Sequence, residues 1–97
     1  MPAPSSREVY QCLRDAALGV QPLTICGRHA DGRVEVRSAG WQLTLVLDPE
    51  GLAQCVQCRS PQGVDAAADA WQRYGTNPVD LLSIWERAQL ERLLAHA

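Results

Sequence analysis

The chain has 97 residues, 46% hydrophobic and 21% charged, a balance that excludes disorder and low complexity and leaves room for one core rather than two. Its nine basic residues, all arginine and scattered along the chain, stand against eleven acidic ones for a formal net charge of −2, so no basic patch is available to nucleic-acid phosphates. Residues 1–20 are interrupted by Arg7, Glu8, Arg14 and Asp15, and no apolar run approaches the roughly eighteen residues that span a bilayer. A single cytoplasmic α+β domain over residues 1–97 is expected, with no membrane or nucleic-acid partner.

Residues 1–4 read as a disordered lead-in. Ser5 or Ser6 then caps a helix with Glu8 in its first turn, in which Val9, Cys12, Leu13, Ala16 and Ala17 share one face and Gly19 ends the element. From Pro22 to Arg59 the apolar period becomes two. Leu23–Gly27 and Val34–Arg37 flank the turn residues Ala30-Asp31-Gly32 and predict a hairpin. Trp41–Asp48 is the clearest strand, with Trp41, Leu43, Leu45 and Leu47 on one side and Gln42 and Thr44 on the other. After the turn at Asp48–Gly51, Leu52–Cys58 can pair back, completing a three- to four-stranded antiparallel meander.

The alanine-rich stretch Asp65–Tyr74 predicts a second helix stopped by Gly75. Asn77-Pro78 predicts the start of a third, with Asn77 as N-cap and Asp80 in its first turn, running nearly to the C-terminus. Both are expected to pack on the sheet. A continuous wheel over that last helix places Leu81, Leu82, Ile84, Trp85, Ala88 and, at the margin, Leu93 toward the sheet. Val79, Leu90 and Leu94 fall on the opposite side, as candidate partner-binding surface. The three tryptophans, Trp41, Trp71 and Trp85, are expected to be core anchors.

Two constellations could carry chemistry. Cys26-x-x-His29 followed by Cys55-x-x-Cys58 supplies four soft or borderline ligands in two pairs, the set a tetrahedral zinc requires. In a regular strand, however, Cys55 and Cys58 would point to opposite faces, and the alternative is free cysteines. As a redox pair, Cys55 and Cys58 lack the helix N-terminus that activates a thiol. For a cysteine nucleophile the only histidines are His29, beside a turn, and His96, near the C-terminus. The carboxylates Asp65 with Asp69, and Asp48 with Glu50, read as helix-start and turn residues. No phosphate-binding glycine loop, nucleophile elbow or paired-histidine zinc motif is present. No catalytic residue is assigned, and no cofactor other than a structural zinc.

The segments Arg7-Glu-Val-Tyr-Gln-Cys-Leu-Arg-Asp-Ala-Ala-Leu-Gly19, Cys55-x-x-Cys58-Arg-Ser-Pro-x-Gly63 and Trp71-Gln-Arg-Tyr-Gly-Thr-Asn-Pro-Val-Asp-Leu-Leu-Ser-x-Trp85-Glu together resemble a small uncharacterised family of bacterial proteins, mainly from pseudomonads. That resemblance implies a bacterial intracellular origin and carries no assigned activity. The functional expectation is a protein-interaction or regulatory module, such as an anti-activator or inhibitor that binds a partner protein or dimerises. The alternatives are a zinc-stabilised domain on Cys26, His29, Cys55 and Cys58, and an enzyme whose site leaves no linear motif.

Overall fold

The computed structural model describes residues 5–49, 51–67, 71 and 77–96. Helix α1 spans Ser6–Ala17. Ser5 caps it through a reciprocal capping box, in which the Glu8 amide donates to the Ser5 hydroxyl and the Glu8 carboxylate accepts from the Ser5 amide. At the other end the Val20 amide reaches the Asp15 carbonyl while Gly19 adopts φ +77°, the left-handed turn that closes a helix. Val9, Cys12, Leu13, Ala16 and Ala17 are all buried, so the amphipathic reading of this segment holds.

The sheet follows as strands β1 (Thr24–Arg28), β2 (Arg33–Ser38), β3 (Trp41–Asp48), β4 (Gly51–Arg59) and β5 (Asp65–Ala67), antiparallel and in sequence order. The β1–β2 and β4–β5 connections are three-residue loops ending in glycine at positive φ, Gly32 at +94° and Gly63 at +86°. Between β2 and β3 the two-residue turn Ala39-Gly40 has both φ values positive, +52° and +84°, the twist that two-residue hairpins favour.

Five strands replace the three or four expected, because Asp65–Ala67 pairs with Gln57–Arg59 instead of starting a helix. Alanine's helix propensity amounts to tenths of a kcal/mol per residue. The edge of β4 offers backbone hydrogen bonds and an Arg59–Asp65 ion pair at 2.8 Å, and these outweigh it. Apart from Trp71, the rest of the expected second helix, 68–70 and 72–74, lies outside the described residues, as do residues 1–4. Trp71, between those two stretches, is buried.

Strand β4 departs from simple alternation at two β-bulges. Leu47, Leu45 and Leu43 on β3 pair with Leu52, Cys55 and Cys58 on β4, a spacing of two opposite a spacing of three. The extra residues Ala53 and Val56 let Leu52, Cys55 and Cys58 all face inward, where each is 4% exposed or less.

The last segment is two elements. A short 3-10 helix covers Pro78–Leu81, Leu82 returns to extended backbone, and α2 runs over Ile84–His96. A second capping box starts α2: the Glu86 amide donates to the Ser83 hydroxyl and the Ser83 amide to the Glu86 carboxylate. The 3-10 helix and α2 pack with α1 over the inward face of the sheet. Arg14 pairs with Glu86 at 3.6 Å, Glu91 accepts the Leu52 amide at 3.1 Å, and Arg28 donates to the Leu94 carbonyl in the last turn of α2. Among the described residues no helix is long and apolar enough to cross a membrane.

Candidate functional site

The four residues proposed as zinc ligands are placed on different surfaces. Cys26 is the unpaired residue of a bulge in β1 and is exposed. His29 sits at the β1–β2 turn, about half exposed, with Nε2 3.6 Å from a Glu35 carboxylate oxygen. Cys55 and Cys58 lie beneath β4 in the core. Among the described residues no three histidine, cysteine or acidic side chains gather as a metal would require. Instead, the two inward thiols share the core with Cys12 of α1: Cys58 disfavours ionisation of Cys12 and Cys55, and Cys12 disfavours that of Cys55. Sequence reading placed Cys12 on the apolar face of α1 but could not foresee that grouping, because only the two bulges turn Cys55 and Cys58 to the same side.

Burial governs the chemistry of these thiols. Loss of solvation pushes Cys12 up to about 12, helped by the nearby Asp15 carboxylate, and pushes Cys58 up to about 11. Cys55 is raised further by the same cause. All three are therefore neutral thiols near pH 7, unsuited to nucleophilic attack. The Cys12 thiol donates to the Ser38 carbonyl at 3.6 Å, and all four cysteines are free.

The outward face of the sheet carries the polar residues. Arg37, Gln42, Arg59 and Asp65 form one cross-strand row, and Glu35, Thr44 and Gln57 the row beside it. They line a shallow cleft of about 330 Å³ together with Cys26. Two of its charges are matched to each other: Arg59 donates to both oxygens of Asp65, which holds that carboxyl below its usual range. Asp31, at the far turn, is lowered by accepting the Arg33 amide and guanidinium. No nucleophile–base pair lies in this cleft.

Asn77 does more than cap the 3-10 helix. Its side-chain oxygen accepts from the Val79 amide at 3.1 Å and the Cys55 amide at 3.0 Å, while its Nδ2 donates to the Cys55 carbonyl at 2.8 Å. Both backbone groups of Cys55 on β4 are thus bonded to the Asn77 side chain, which ties the 3-10 helix to the sheet.

The apolar surface lies opposite to where the continuous wheel placed it. Val79, Leu90 and Leu94, the expected partner-binding residues, are fully buried core. Ile84 is 91% and Trp85 56% exposed, with Leu81 and Leu93 exposed beside them and Ala88 exposed on the same helix. Of the residues expected to meet the sheet, only Leu82 is buried, and of the three tryptophans Trp85 is not a core anchor. The break at Leu82–Ser83 is the reason. Leu81 and Leu82 belong to a different element from Ile84 and Trp85, so they cannot vote for the same helical face. The signal that marks the break is the capping-box pattern Ser83-x-x-Glu86, legible in the sequence but overshadowed by Asn77-Pro78 upstream.

An antiparallel sheet with two helices over its inner face, one of them bearing exposed apolar side chains, and polar residues on its outer face defines a small α+β fold. The chain belongs to the family described as a domain of unknown function, DUF7693, whose model matches residues 4–96. No curated protein and no solved structure matches it.

Proposed function

We propose that this chain is a protein-interaction module of the bacterial cytoplasm, docking through the outward face of α2 and the turn that precedes it. The observation that carries this reading is the pair Ile84 and Trp85, 91% and 56% exposed on the first turn of a well-capped helix. An exposed aromatic beside an exposed β-branched side chain, on a helix that buries Leu90 and Leu94 on its other side, is the composition of an interaction anchor. Leu81, in the 3-10 helix just before α2, is exposed as well. The bacterial setting rests on the all-arginine composition and the family resemblance. An interaction role also agrees with the absence of a nucleophile–base pair among the described residues and with buried, neutral thiols.

Affinity capture from the native host, comparing the wild-type chain with Ile84→Asp/Trp85→Ala, tests this. Loss of the bound protein in the double variant, with unchanged circular dichroism and thermal midpoint, is the expected result. Undiminished capture by a folded double variant overturns the assignment of this face.

A further inference from the structure

We infer that the occupant of this face is a second copy of the chain, held by α2 pairing antiparallel with α2 about a two-fold axis at Ala88. The inference rests on the interaction reading above and names its partner. At 100° per residue Ile84, Trp85, Ala88, Arg92 and Ala95 fall within an arc of about 100° on α2. All five are exposed, on the side away from the buried Leu90 and Leu94. The face is therefore centred on small residues, with the large ones set to either side, as two helices need in order to approach closely.

Self-complementarity selects the register. A two-fold axis through Ala88 sets Ala88 against its own counterpart and brings each Trp85 to within one residue's height of Arg92 in the second copy. Trp85 and Arg92 lie on the same flank of the helix, and a two-fold of this kind keeps that flank on the same side of the pair. The Arg92 guanidinium then lies over the Trp85 indole, twice per dimer, a cation–π contact between groups that are both exposed in the single chain. Arg92 makes no ion pair among the described residues, so it is free to do so. Ile84 lies on the other flank, as does the small Ala95, which leaves room there for the second copy. Antiparallel alignment also opposes the two helix dipoles head to tail. The contact is isologous and closes on itself, so it yields dimers and not fibres. A single short helix pair buries less than a standard interface, which sets a weak, concentration-dependent dimer.

Sedimentation velocity of the full chain across a wide concentration series tests this directly. The wild type should shift from monomer to dimer as concentration rises. Ala88→Glu, which faces two like charges at the axis on an exposed site, should weaken the dimer by about tenfold or more with unchanged circular dichroism. Arg92→Glu should weaken it as well. In a Cys26→Ser background, Ala88→Cys should form an intermolecular disulfide under mild oxidation, because only residues at a two-fold meet themselves. A wild type that stays monomeric at every concentration overturns the pairing. If host capture still depends on Ile84 and Trp85, the interaction reading then survives with a different partner. A dimer that Ala88→Glu leaves intact, or an Ala88→Cys chain that does not cross-link while dimeric, also overturns it.

Discussion

Cys55 and Cys58 share one face of β4 although they stand three residues apart, because Val56 is the extra residue of a bulge. That single residue converts a sequence pattern suggestive of metal binding into part of a thiol-rich core with Cys12. The consequence is measurable. Brief alkylation of the native protein at mildly alkaline pH should modify Cys26 alone, and all four cysteines after denaturation, read by intact mass; rapid native labelling of Cys12 or Cys58 would contradict their burial. The pH dependence has a definite sign. The folded thiols of Cys12 and Cys58 sit at about 12 and about 11, above their ordinary value of 9.0. Above that ordinary value the unfolded chain has released protons that the folded one still holds, so unfolding gains relative to folding as pH rises. Their contribution is fully present below about pH 9 and is lost as the pH climbs toward the folded values. The bulge itself was not legible in the sequence, since Cys55-Val-Gln-Cys58 reads as ordinary alternation until the register with β3 is known.

At the scale of elements, α1 and strands β1 to β4 were legible because periodicity, caps and turn residues agree there. The Ser5–Glu8 capping box, the hairpin glycine Gly32 and the alternation from Trp41 to Leu47 each point to the same local structure. β5 was not, because Asp65-Ala-Ala has helix propensity and only its pairing partner decides against it. Asn77 was recognised as a cap but not as a brace for β4. Its bonds to both backbone groups of Cys55 join the C-terminal segment to the sheet. Asn77→Ala removes the cap and leaves the Cys55 amide and carbonyl without their partner, so it should cost about 2–3 kcal/mol. In urea titrations this should appear as a lower midpoint with an unchanged slope. A cost typical of a simple exposed cap, under about 1 kcal/mol, would mean that the brace to β4 contributes nothing.

For the molecule as a whole, the N-terminal helix, the antiparallel sheet and a helix at the C-terminal end are as the periodicity predicts, whereas the expected second helix begins instead as β5 and the side of the last helix that faces the core is reversed. Two faces of α2 compete: Ile84 with Trp85 on one, Leu90 with Leu94 on the other. Neither wins on sequence alone once Leu81 and Leu82 are removed from the wheel by the break at Ser83. Contacts made elsewhere settle the choice. Arg14 on Glu86, the Leu52 amide on Glu91 and Arg28 on the Leu94 carbonyl all hold the helix with Leu90 and Leu94 inward. The exposed apolar surface was therefore present in the sequence as apolar remainder, but read on Val79, Leu90 and Leu94, which are buried, and not on Ile84 and Trp85. The orientation of α2 underlies both the docking face and the proposed dimer, and chemical denaturation of two alanine variants tests it most directly. Leu90→Ala should lose about 2–5 kcal/mol, the cost of a cavity in the core, while Ile84→Ala should stay within about 0.5 kcal/mol of the wild type at a concentration where the chain is monomeric. The reverse, a tolerant Leu90 and a costly Ile84, would contradict the orientation and with it the face assigned to function.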